Sequence, residues 1–235
     1  TGIDLQGIDL QTFATVFNLS GHEQAIEAVT VSRDGSLAAS GTDEGNIIIW
    51  DLKRRVQLGS LDTGFYIFDL AFTPDNRFLV SVDENCAQLW DLKTNQKELI
   101  FQNVERPNGV LRTSDGKGVI LTTGSGRTKS GSVVKAAVGR WDSASGEREA
   151  ILLSDADEFT DMKITPDDRY LLTASSDHSL RIWQFDQLGK RETFSSHEDG
   201  DTNVMFSENG KYAISQGGEY IRVWDAHDFS LVFNL

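Results

Sequence analysis

Five tryptophans, Trp50, Trp90, Trp141, Trp183 and Trp224, divide most of this chain into intervals of 40, 51, 42 and 41 residues. A recurrent period of that length restricts the fold to repeat architectures, in which each unit buries its faces against its neighbours. Four indoles are followed by aspartate (Asp51, Asp91, Asp142, Asp225), and the fourth repeat carries Gln184 instead. Apolar or alternating residues precede each Trp, as in Ile47-Ile48-Ile49, so each Trp ends a strand.

A second phrase recurs ahead of each Trp: Val29 to Gly35, Leu70 to Asn76, Val110 to Gly116, Met162 to Asp168 and Val204 to Gly210. Each copy is a strand entering a turn, because Gly, Asn or Asp at its end accepts the left-handed backbone that such turns require. A further short apolar run follows, such as Phe78-Leu79-Val80-Ser81, and another follows the Trp strand, such as Glu98-Leu99-Ile100-Phe101. Four short strands per period, with almost no helical pattern, are the content of a propeller blade.

Composition supports a packed domain: 39% of the 235 residues are hydrophobic and 25% charged. The formal charge of −14 disfavours nucleic acid and anionic membrane surfaces and favours a basic partner. The single cysteine, Cys86, has no intrachain disulfide partner, which fits a reducing, cytoplasmic setting. No apolar run approaches the roughly 20 residues that cross a bilayer, and the N-terminus lacks a signal-peptide pattern.

Gly21-His22, the turn phrase, the strand ending Ile49-Trp50-Asp51 and the repeat length together resemble the WD-repeat family, over about residues 20 to 235. The resemblance implies an all-β propeller of four-stranded antiparallel blades, with approximate boundaries 20–61, 62–101, 102–153, 154–195 and 196–235. Residues 1–19 read as an outer strand of a closing or preceding blade. Five Trp-marked blades would form either a closed five-bladed ring or part of a larger propeller, typically of seven.

The family also implies a buried hydrogen-bonded tetrad of His, Ser or Thr, Asp and Trp. Its members here are His22, Ser40, Glu44 and Trp50 in repeat one, and Thr173, Asp177 and Trp183 in repeat four. Repeat five supplies His197, Ser215 and Trp224, with Ser215 one residue out of the family spacing. Repeats two and three retain little beyond Trp90 and Trp141, which predicts looser blades there. Repeat three also places Arg112 on its inner strand, where it must reach a water-filled channel, the favoured outcome, or a carboxylate. Its strand connection is longer, running through the Gly/Ser-rich residues 124–132.

WD-repeat folds host unrelated functions, so specificity must be sought on variable loops. The rim positions read Asp62, Asp83, Glu84, Asp155, Asp157, Glu158, Asp199 and Asp201, with Phe65, Tyr66 and Phe159 as aromatic anchors. They suggest a docking face for a basic peptide or protein. No nucleophile elbow, phosphate loop or metal-ligand spacing is present, so no catalytic residue, cofactor or metal is expected. A non-catalytic interaction scaffold is therefore the leading expectation. Assembly with another chain to complete a larger propeller, and a hydrolase or lyase using channel carboxylates, are the alternatives.

Overall fold

The computed structural model describes residues 3–8, 15–127, 133–153, 158–184, 191–195, 203–207 and 209–235. They form strands and turns in two compact units, Thr1–Phe101 and Gln102–Leu235.

The first unit opens with a hairpin, β1 (Ile3–Ile8) and β2 (Thr15–His22). Two four-stranded antiparallel sheets follow. One contains β3 (Ile26–Val31), β4 (Leu37–Thr42), β5 (Asn46–Asp51) and β6 (Val56–Asp62). The other contains β7 (Ile67–Phe72), β8 (Phe78–Asp83), β9 (Ala87–Asp91) and β10 (Gln96–Ile100). Ala28, Ala39, Ile47, Ile49 and Leu61 of the first sheet pack on Ile67, Leu70, Phe72, Leu79 and Trp90 of the second, forming one core between two faces.

The second unit has three such sheets. The first contains β11 (Pro107–Arg112), β12 (Gly118–Thr123), β15 (Ala137–Asp142) and β16 (Arg148–Leu153). The long connection between β12 and β15 carries a two-stranded ladder of β13 (Gly126–Arg127) and β14 (Val133–Val134); residues 128–132 lie outside the described residues. Next come β17 (Phe159–Ile164), β18 (Tyr170–Ser175), β19 (Ser179–Gln184) and β20 (Arg191–Ser195). The last sheet is β21 (Asn203–Phe206), β22 (Tyr212–Gly217), β23 (Tyr220–Asp225) and β24 (Leu231–Asn234). All three run antiparallel in chain order.

The turn phrase folds the same way five times. Gly35, Asn76, Gly116, Asp168 and Gly210 have φ of 69, 57, 73, 57 and 66°. Ahead of them, the hydroxyls of Ser32, Thr73, Thr113, Thr165 and Ser207 donate to Asp34, Asp75, Asp115, Asp167 and Asn209 at 2.5–2.9 Å. Each of these acceptors also takes the backbone N–H two residues on, at 2.9–3.1 Å. These are side-chain-locked turns, which fix the register of the two inner strands. The hydrogen bonds hold Asp34, Asp115 and Asp167 below the usual carboxylate range.

Arg112 Nη2 donates to the carbonyl of Gly116 at 2.6 Å, inside its own β11–β12 turn. A main-chain acceptor four residues away satisfies part of the guanidinium with little rearrangement.

Candidate interaction site

The tetrad positions resolve into a rule of register rather than of spacing. Ser40 stands opposite Ile48, two residues before Trp50, and accepts the Trp50 indole N–H at 2.8 Å. Thr173 stands opposite Arg181 and accepts from Trp183 at 2.9 Å. Ser81 stands opposite Gln88 and accepts from Trp90 at 2.8 Å; Ser215 stands opposite Arg222 and accepts from Trp224 at 3.0 Å. In the sheets of Trp90 and Trp224 the strand connection is one residue shorter, so the hydroxyl lies nine residues before the indole instead of ten. Repeat two therefore keeps its hydroxyl–indole bond, contrary to the expectation from spacing, and the offset of Ser215 costs it nothing. Repeat three places Leu121 opposite Gly139 in this position, and Trp141 turns its N–H to the carbonyl of Gln102 at 2.8 Å. The indole lies over Gly139, where a Cβ would meet it at 2.4 Å.

The remaining tetrad members behave differently from the family pattern. His22 Nε2 shares a 2.6 Å hydrogen bond with Ser40 Oγ, and burial holds its pKa below the usual value. Its Nδ1 is buried with no hydrogen-bond partner among the described residues, and Glu44, expected as the acidic member, is exposed. Asp177 bonds Arg181 and Ser179 instead of a histidine: Arg181 Nη2 lies 2.5 Å from its Oδ2 and Ser179 Oγ lies 2.6 Å from its Oδ1. Burial pushes the Asp177 carboxyl up, but these bonds outweigh it and hold it at about 2. Arg181 is buried and reaches Ser175 and Ser179 as well. His197 lies outside the described residues.

The rim candidates separate by burial. Asp83 is 0% exposed; it accepts from the amides of Asn85 and Cys86 and from Gln88 Nε2 at 2.6 Å, so it caps a turn and offers nothing to a partner. Phe159 is likewise core, packed with Ile120, Met162, Leu171 and Trp183. Both stand at the end of an inner strand pair, Asp83 held inside by its turn bonds and Phe159 by the core between two sheets. Asp155, Asp157, Asp199 and Asp201 lie outside the described residues, while Glu158 and Glu84 are exposed. Beside Asp83, burial pushes the Cys86 thiol up to about 11, which leaves it protonated and unreactive at neutral pH.

What the first unit does bring together is a small acidic–aromatic face. Asp62 ends β6 and caps Gly64 at 2.8 Å, and exposed Phe65 follows. Tyr66 and Phe68 lie with ring centroids 5.1 Å apart. The Tyr66 hydroxyl bonds the Glu27 carboxylate, and with burial and the charges of Glu27 and Asp43 this raises its pKa to about 12. Sequence reasoning missed Glu27, Asp43 and Phe68. The Tyr66-Ile67-Phe68 alternation, apolar residues one apart flanking a buried isoleucine, was the available signal for Phe68. Among the described residues no group of three or more His, Cys, Asp or Glu side chains is placed to hold a metal ion.

Comparison with known proteins places these features. The family profile described as WD domain, G-beta repeat matches residues 13–51, 55–91 and 151–184. Over 87 residues the chain is 38% identical to Small ribosomal subunit protein RACK1y of Oryza sativa subsp. japonica, covering 37% of this chain and 25% of that protein. Over 86 residues it is 37% identical to Cross-pathway control WD-repeat protein 2 of Flammulina velutipes, covering 37% and 27%. The aligned stretches thus span about a quarter of these relatives. Among solved structures, the β-propeller domain of Myceliophteria thermophila Cps50 (Swd1) superposes with a TM-score of 0.80 at 18% identity, covering 97% of this chain and 77% of that one. Kuenenia stuttgartiensis hydrazine synthase superposes with the same score at 17% identity, covering 95% and 70%. At these identities the likeness establishes the β-propeller fold and nothing about activity.

Proposed function

Since this chain is a WD-repeat protein of the β-propeller fold, we propose that it is a non-catalytic scaffold that captures a basic peptide or protein on an acidic–aromatic rim. The observation that carries this reading is the face of the first unit, where Phe65, Tyr66 and Phe68 stand among Glu27, Asp43 and Asp62. Aromatic rings supply contact area at low entropic cost, and flanking carboxylates select and steer a positively charged partner. The net charge of −14 adds a long-range term of the same sign. Among the described residues Glu84 of the first unit and Glu158 of the second are exposed carboxylates of the same sign, and Asp155, Asp157, Asp199 and Asp201 join the reading from the sequence alone. The WD-repeat relatives and the protonated Cys86 fit a protein-binding role in a reducing, cytoplasmic setting.

The test uses a pool of lysine- and arginine-containing twelve-residue peptides and the intact chain. Binding that falls at least tenfold in Phe65→Ala/Phe68→Ala and in Asp43→Asn/Asp62→Asn, with thermal stability unchanged, supports the reading. Absence of binding in the pool, or binding indifferent to both variants, overturns it.

A further inference from the structure

The β1–β2 hairpin is the outer half of a blade. In four of the five sheets the Trp pairs with the residue seven positions on, beside a bulge: Trp50 with Gln57, Trp90 with Lys97, Trp141 with Arg148 and Trp224 with Leu231. In the hairpin, Ile8 pairs with Thr15, also seven on, with a bulge between Gly7 and Ile8. Four residues further in, Asp4 pairs with Ser20 as Asn46 pairs with Asp62. Ile8 therefore holds the tryptophan position, β1 the third-strand position and β2 the fourth. Packing agrees: Leu19 joins Ala38, Ile48 and Trp50 in one buried cluster with Phe17 at its margin, and the Arg55 guanidinium lies 4.8 Å from the Phe17 ring centroid. In the next pair of sheets Leu61, the counterpart of Leu19, packs toward the following blade in the same way.

A half-blade lacks its two inner strands, and the neighbouring sheet records that lack. Val29 is 51% exposed, whereas Leu70, Val110, Met162 and Val204, at the same place in the turn phrase, are 3, 2, 4 and 4% exposed. Val31 is 53% exposed and its counterpart Phe72 is 8%. Leu70 and Phe72 are covered by Ala28 and Ala39, on the inner strands of the preceding sheet; a Cβ at Gly41 would meet Ile67 at 2.6 Å. Among the described residues of the first unit nothing equivalent covers Val29 and Val31, because the sheet that precedes them consists of β1 and β2 alone.

We propose that the free edge of β1 and the Val29–Val31 patch together accept a β-hairpin of the inner-strand kind. It would pair in register with β1 and present Ala or Gly to the two valines, completing a four-stranded blade by strand addition. A second copy of this chain does not supply it from the described strands, since each inner strand already belongs to a four-stranded sheet. The occupant is a hairpin carried on polypeptide outside this sequence, and the assignment is independent of the rim reading.

The test replaces Thr1–Ile3 with a copy of Ile26–Gly45, which sets the copied strands ahead of Asp4 as the originals stand ahead of Asn46. A control carries one extra residue before Asp4, which reverses the faces. Hydrogen exchange of the β1 amides is expected to slow at least tenfold in the first chain and not in the control. For a second readout, Val29→Cys in a Cys86→Ser background is alkylated rapidly alone and at least tenfold more slowly when the hairpin is fused or added as a synthetic peptide. Equal exchange in both chains with equal alkylation overturns the proposal. Protection of residue 29 that rises with chain concentration alone overturns it in favour of self-association.

Discussion

Replacing Ser40 by alanine isolates what the buried hydroxyl contributes, because the same change at Ser81 removes one hydrogen bond where Ser40 removes two. Ser40 Oγ accepts from Trp50 and shares a bond with His22, both fully buried. Among the described residues Ser81 Oγ accepts from Trp90 alone in the corresponding place. A buried polar group left without a partner costs about 1–3 kcal/mol. Ser40→Ala strands two such groups and should cost roughly 2–6 kcal/mol, and Ser81→Ala about 1–3. Both residues lie in the first unit, so local hydrogen exchange on β4, β5, β8 and β9 compares them on one scale. A Ser40→Ala cost no greater than that of Ser81→Ala, or below about 0.5 kcal/mol, would refute the reasoning, since solvent or repacking would then be satisfying the orphaned groups.

Three further outcomes follow from the same geometry. Gly139→Ala should destabilise the second unit by about 1–3 kcal/mol, because the new methyl displaces the Trp141 ring; urea unfolding followed by tryptophan emission measures it. The lowered pKa of His22 means that the unfolded chain takes up a proton first: the stability it contributes is present above about pH 6.5, is lost as pH falls through that value, and levels off below the folded pKa. His22→Gln should flatten that part of the pH–stability curve. Asp177 has the opposite origin but the same sign, with stability present above pH 3.8 and lost as pH falls towards about 2. Asp177→Asn leaves buried Arg181 without its carboxylate and should cost about 1–3 kcal/mol, the lower end reflecting solvent access to Asp177.

The repeat, the turns and the strand order were legible because they rest on local chemistry. Tryptophan at the strand end and Gly, Asn or Asp in the left-handed turn position mark themselves in the sequence. The hydroxyl partner of Trp90 was not legible, and Ser215, the partner of Trp224, reads as one residue out of place, because counting residues cannot distinguish a shorter connection from a lost partner; only cross-strand register does. Asp83 and Phe159 looked like rim residues because acidic and aromatic side chains suit a rim, and their burial depends on which way a strand end faces. Val29 read as an ordinary inner-strand valine, and its exposure follows from what the preceding sheet lacks, a property no single repeat encodes.

If partner capture takes place on the acidic–aromatic face of the first unit, hydroxyl-radical footprinting of the intact chain, with and without a captured basic peptide, will show protection at Phe65, Tyr66 and Phe68. Protection confined to other surfaces, with those three rings oxidised equally in both samples, would contradict it.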